Sequence, residues 1–175
     1  RVWRSLLKAD PSVDLVHFTI LRPPSKQDST PIDQLSLIAF PTRELFVEKL
    51  DQFDLVIFDR YRERGILPLA YFENIARYVE NGGALLVSAG PEFASPQSIY
   101  RTPLAGVLPA QPTGEIVAQP YKPIVTDAGL AHPVTRDLQG ENAPGKAPTW
   151  GRWFRLIGAN AVSGETLMSG PVDNP

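Results

Sequence analysis

Ser88, Asp127 and His132 are the residues whose types and order could support nucleophilic chemistry in this chain. A serine hydroxyl is a weak nucleophile until an adjacent base takes its proton, and a histidine oriented by a carboxylate is the usual base. Ser88 closes the apolar run "ALLVS" and is followed by Ala89 and Gly90. A serine elbow needs small residues on both sides of a strained strand-to-helix turn, in the pattern Gly-x-Ser-x-Gly. The five residues here are Leu86, Val87, Ser88, Ala89 and Gly90, so the second glycine matches and the first does not. His132 stands before Pro133, and proline drives its predecessor toward extended backbone, which suits a loop role. A hydrolase using Ser88 and His132, with Asp127 as orienter, is therefore the alternative reading and not the principal one.

The other chemistry-bearing residues divide between recognition and structure. Asp59 ends the run "DLVIFD", and Arg60 and Tyr61 open the charged loop "DRYRER" beside it. Ligands of open α/β sheets bind beyond the carboxyl ends of strands, which makes Asp59, Arg60, Tyr61, Ser88, Gly90 and Glu92 a candidate ligand or partner surface, with His132 as a further contributor. The structural readings are that Asp59 caps nearby amides and that Glu92 is favoured by the free amides of a helix start. His17 alternates with Val16 and Phe18 and reads as a structural histidine in a strand. Two distant histidines without paired carboxylates define no metal site. Gly82 and Gly83 precede a strand and open no phosphate loop, so no nucleotide cofactor is expected. "WGRWFR" (150–155) interleaves aromatics with arginines. It is either an exposed recognition segment or a late strand in which Trp150 and Phe154 pack inward while Arg152 and Arg155 reach solvent.

These residues need elements to position them. Val2, Leu6 and Leu7 put an apolar face on a first helix that Pro11 ends. "VDLVHFTIL" (13–21) reads as a strand, "RPPSKQDSTP" (22–31) as a loop, and "LSLIAF" (35–40) as a short strand or buried turn. Thr42 is positioned to cap a helix over 43–53, in which Leu45, Phe46, Lys49 and Leu50 form a stripe. The uninterrupted runs "DLVIFD" (54–59) and "ALLVSAG" (84–90) suit parallel strands covered on both faces. Between them Pro68 can start a helix and Gly82 can end it. Turns and short strands follow Pro91.

Composition bounds the class. The chain has 175 residues, 43% of them hydrophobic, enough for one domain with a real core. Seventeen Lys and Arg against nineteen Asp and Glu give a net charge of −2, so no global field draws it to nucleic acid. There is no cysteine, which excludes disulfides, thiolate metal sites and thiol catalysis. No run approaches the roughly 18 apolar residues of a membrane span, so no direct membrane insertion by this segment is expected. Localisation stays open.

"FDLVIFDRY", "ARYVENGGALLVSAGPEF" and "AHPVTRDL" together resemble the class I glutamine amidotransferase-like domains, in particular those within large bacterial membrane proteins. The resemblance spans most of the chain as one domain, 1–175. It implies a flavodoxin-like α/β fold, doubly wound, with a mainly parallel sheet and helices on both faces. It also implies truncation at both ends, with the chain a piece of a longer, membrane-anchored parent. Catalytic members place a cysteine at the turn that maps here to Ser88, Ala89 and Gly90, and none of these is cysteine. The expectation is a non-catalytic binding or structural module, with no cofactor and no metal, that engages a protein partner or other domains of the parent chain.

Overall fold

The computed structural model describes residues 2–19, 41–138 and 147–170. The chain divides into two units, Arg1–Thr42 and Arg43–Pro175. The expected loop at 22–31 and the expected element at 35–40 lie outside the described residues.

In the first unit, α1 (Val2–Lys8) buries none of its residues. Asp10 then accepts from both the amide and the hydroxyl of Ser12, at 2.9 and 2.7 Å, and this turn ends the helix ahead of Val13. The strand expected from Val13 is not formed over residues 13–19. Alternation prepares one segment for a ladder, but a strand exists only where a second segment supplies the complementary amides and carbonyls. Val13, Val16 and Phe18 are exposed accordingly, and so is His17, which is not the strand histidine expected.

The second unit opens with an irregular turn in place of the expected regular helix. Residues Glu44–Glu48 form a π turn, in which the Lys49 amide donates to the Glu44 carbonyl at 2.9 Å, and a 3₁₀ turn follows at Leu50–Gln52. Thr42 is not its cap, since the cap position falls on Arg43 without a side-chain hydrogen bond. Two exposed ion pairs accompany the wide pitch. Arg43 pairs with Glu48 at 3.2 Å and Lys49 pairs with Glu44, both five residues apart, whereas an α-helix aligns residues three and four apart. The turn still delivers its apolar residues: Leu50 is buried and Phe46 stacks on Tyr71 at 5.8 Å.

β1 (Leu55–Asp59), α2 (Leu69–Glu80) and β2 (Ala84–Ser88) form a strand–helix–strand unit. The strands pair in parallel from Leu55↔Ala84 to Asp59↔Ser88, the adjacency that the two apolar runs predict. Phe72, Ile75 and Tyr78 recur every three residues along α2 and are its buried face. Phe72 meets Phe58 at 6.2 Å and Tyr61 at 5.8 Å, and α2 also packs on the Pro103–Gly106 turn, where Leu104 is fully buried. Gly82 adopts φ +101° just past the helix, the conformation that stops it.

Tyr78 connects helix and strands in a way the periodicity does not announce. Its hydroxyl donates to the Phe53 carbonyl at 2.8 Å and accepts from the Ala84 amide at 3.3 Å, so one side chain ties the starts of both strands. Its ring lies over Gly83 so closely that a Cβ there would sit 2.2 Å from Cζ.

Beyond β2 come 3₁₀ turns at Pro91–Ala94, Ile99–Arg101 and Pro103–Gly106. β3 (Ala110–Val117) pairs antiparallel with β5 (Leu156–Ala161), and its register shifts between Pro112 and Ile116, where Gly114 takes φ +89°. β4 (Ile124–Val125) pairs antiparallel with β6 (Met168–Ser169), and α3 (Asp127–Ala131) lies between β4 and β5 in sequence. The described residues thus form a mixed α/β structure with one parallel and two antiparallel strand pairs.

Tyr78→Phe removes the partner of one amide and one carbonyl and should lower stability by about 1–3 kcal/mol in urea unfolding. Gly83→Ala should cost more, because the ring it strikes is held by two hydrogen bonds. Wild-type stability in both variants would show that the tie is dispensable.

Candidate functional site

Asp59 faces Ser88 across the last pair of the parallel ladder, so the loops after β1 and β2 leave from one edge, as expected for them. The Arg60 amide donates to the Ser88 carbonyl at 2.9 Å, extending the ladder by one bond. To make that turn Arg60 adopts φ +49°, the one positive φ of a non-glycine residue among the described residues. An L-residue in this region is strained by about 1–2 kcal/mol, and such strain persists only where surrounding contacts impose it.

Beside the Ser88 bond, the contact that holds Arg60 here is Glu92. Arg60 Nη2 lies 2.7 Å and Nε 3.4 Å from the two Glu92 carboxylate oxygens, a two-pronged pair, and Arg62 Nη2 lies 3.6 Å away. Glu92 is only 9% exposed. Burial opposes its ionisation, but its own backbone amide and the Arg60 and Arg62 guanidiniums outweigh that and hold its carboxyl below the usual carboxylate range. Gly90 makes room for the pair: a Cβ there would sit 2.5 Å from Glu92 Oε2 and 2.7 Å from Arg60 Nε. Gly90 itself is in ordinary extended backbone, so it is close approach and not torsional freedom that calls for a glycine.

Tyr61 turns inward, edge-on to Phe58 at 5.1 Å, and its hydroxyl donates to Glu63 Oε2 at 3.1 Å. Burial first, then the Glu63 charge, pushes the phenol well above its ordinary value and keeps it protonated. The Glu63 amide in turn donates to the Gln97 carbonyl at 2.9 Å, tying this loop to the one after β2.

Several expected roles are corrected by this geometry. Asp59 is exposed and its carboxylate makes no hydrogen bond to any described residue, so it is not an amide cap. Glu92 belongs to the buried frame of the edge and not to its exposed surface, which Asp59, Arg62, Arg64 and Ala89 provide. Ser88 is half-buried, and among the described residues no hydrogen bond joins it to His132. His132 caps the end of α3 with the extended backbone that Pro133 imposes, φ −80° and ψ 135°. Its Nδ1 accepts from the Val134 amide at 3.2 Å, and its backbone bonds run to Gly129, Thr135 and Arg136. The structure does not bring it into hydrogen bonding with Asp59, Ser88 or Glu92. Among the described residues no three His, Asp or Glu side chains gather as a metal site.

The 150–155 segment splits between its two readings. Trp150 is half-buried and donates through Nε1 to the Pro123 carbonyl at 3.1 Å. Trp153 pairs through its backbone with Tyr121, yet it is 53% exposed and Phe154 is 69% exposed. Phe154 therefore does not pack inward as the late-strand reading expects. No protein-family model matches this chain, and neither a curated protein nor a solved structure is similar to it.

Because the folded Glu92 carboxyl lies below its unfolded value, its contribution is complete above that unfolded value, about pH 4.3. The contribution is lost as pH falls through the folded value. Glu92→Gln should cost about 1 kcal/mol near neutrality, modest because Arg60 is more than half exposed to screening solvent. The gap between wild type and variant in urea midpoints should narrow below about pH 4. A gap independent of pH would show that the ion pair contributes nothing.

Proposed function

We propose that this chain is a non-catalytic module of the class I glutamine amidotransferase-like type, with a flavodoxin-like, doubly wound sheet. In this reading it binds a protein partner, or another domain of a larger membrane-anchored bacterial protein, through the edge where β1 and β2 end. One observation carries the reading. The acid that follows the turn, Glu92, is committed to two guanidiniums that hold its carboxyl below the usual range, so it is a poor general base and instead ties the two loops together. The parallel β1–α2–β2 unit supports the fold assignment, since such units build doubly wound sheets. Strain at Arg60 supports the location, because strained residues gather at binding surfaces. Ser88 has no hydrogen-bonded base among the described residues, and the hydrolase alternative gains no support from the geometry.

The purified protein should leave glutamine intact and take up no fluorophosphonate, and stoichiometric labelling of Ser88 would overturn the non-catalytic reading. Reversing two exposed charges, Asp59→Lys with Arg64→Glu, should change stability by no more than about 0.5 kcal/mol. It should also reduce recovery of the parent protein's remaining domains or partner in pull-down experiments. Undiminished recovery would remove the function from this edge.

A further inference from the structure

A cleft of about 370 Å³ opens between the 3₁₀ turns that follow Glu92 and the irregular stretch of β3. This is the lower end of the range for small-molecule sites, about the space of a one-ring metabolite. One wall is made by Phe93 and Tyr100, set edge to face at 6.3 Å, and by Ser98 and Arg101; Gln111 and Thr113 stand on the other. The shift of register at Gly114 bends β3 here and shapes that second wall.

Two groups in the cleft have chemistry left over. Ser98 is only 1% exposed, and its oxygen accepts from the Tyr100 amide at 3.2 Å as the cap of the Ile99–Arg101 turn. Its hydroxyl proton has no acceptor among the described residues. The neighbouring serine differs: Ser95 both donates to the Glu92 carbonyl at 2.8 Å and accepts from the Gln97 amide at 3.2 Å, so it is satisfied. A buried donor without an acceptor is costly and calls for a partner. Arg101, the second group, is exposed at the cleft and is a charge available to a ligand. The ion pairs of this region go to Arg60 and Arg62, and Arg101 has no carboxylate partner among the described residues. A guanidinium fork matches a carboxylate in both geometry and charge.

We infer that this cleft binds a carboxylate joined to an aromatic ring, with Arg101 pairing the carboxylate, Ser98 donating to it, and Phe93 and Tyr100 flanking the ring. A purely inorganic anion would leave the aromatic wall unused, and a neutral ring would leave Arg101 and Ser98 unanswered. The same chemistry has two sources, a free aromatic acid or the carboxyl-terminal phenylalanine of a peptide. None of the cleft residues belongs to the β1–β2 edge set, so the inference stands independently of the function proposed above.

Titration of the ¹⁵N-labelled protein with benzoate, benzamide and N-acetyl-Gly-Phe tests it. Benzoate should shift the amide signals of Ser98, Tyr100, Arg101 and Thr113 saturably, and benzamide should bind about tenfold more weakly, the loss of one charge-assisted contact. Arg101→Gln should weaken benzoate about tenfold while Arg101→Lys retains part of the affinity, and Ser98→Ala should weaken it with Arg101 intact. Tighter binding of the peptide than of benzoate at the same signals identifies a carboxyl terminus as the source, and the reverse identifies a free acid. Arg101 is exposed, so its variants should keep the wild-type spectrum elsewhere. The inference is overturned if neither carboxylate gives saturable shifts, if benzamide matches benzoate, or if Arg101→Gln binds benzoate unchanged.

Discussion

A parallel ladder of five residue pairs is too short to hold itself together, and that constraint organises the central unit of this protein. Both of its ends are fastened by side chains from outside the ladder. At the amino end the Tyr78 hydroxyl joins the backbone before β1 to the first residue of β2. At the carboxyl end Arg60 and Glu92 join the two departing loops. Each fastening demands a glycine beside it for clearance, Gly83 under the Tyr78 ring and Gly90 beside the carboxylate. The buried face of α2 fills the space between, with Phe72 against Phe58 and Tyr61.

How the edge is fastened decides what it can do. A buried carboxylate must be paired or neutralised. Here pairing wins, since two arginines and a backbone amide hold Glu92 ionised against the opposing effect of burial. The charge that a general base would offer is thereby spent on structure. What remains at the surface is Asp59, Arg62 and Arg64, on a turn in which Arg60 holds a positive φ.

The parallel pair was legible because its evidence is intrinsic to the segments: two unbroken apolar runs, a proline before the helix and a glycine after it. Gly82 and the extended backbone before Pro133 follow from torsional limits that each residue carries anywhere. Residues 13–19 were not legible in the same way, since alternation describes one segment and a strand requires two. The turn at Glu44–Glu48 is not legible because the stripe of Leu45, Phe46, Lys49 and Leu50 is compatible with several pitches. The edge residues were found, but their division into buried frame and exposed surface depends on which arginine reaches Glu92, a tertiary fact. Ser98 and Arg101 lay in a stretch read as turns, where the cue was Ser98 and Thr102 each capping the turn that follows it.

The two fastenings also bear on the order in which the molecule assembles. Tyr78 reaches back 25 residues to Phe53, and Arg60 reaches forward 32 to Glu92. Closing loops of that length in a disordered chain loses entropy before any contact repays it. Winding α2 shortens the path, since twelve residues that could span about 40 Å when extended cover about 18 Å as a helix. The same winding turns Phe72, Ile75 and Tyr78 to one side. Winding α2 first therefore lowers the closure cost of both fastenings.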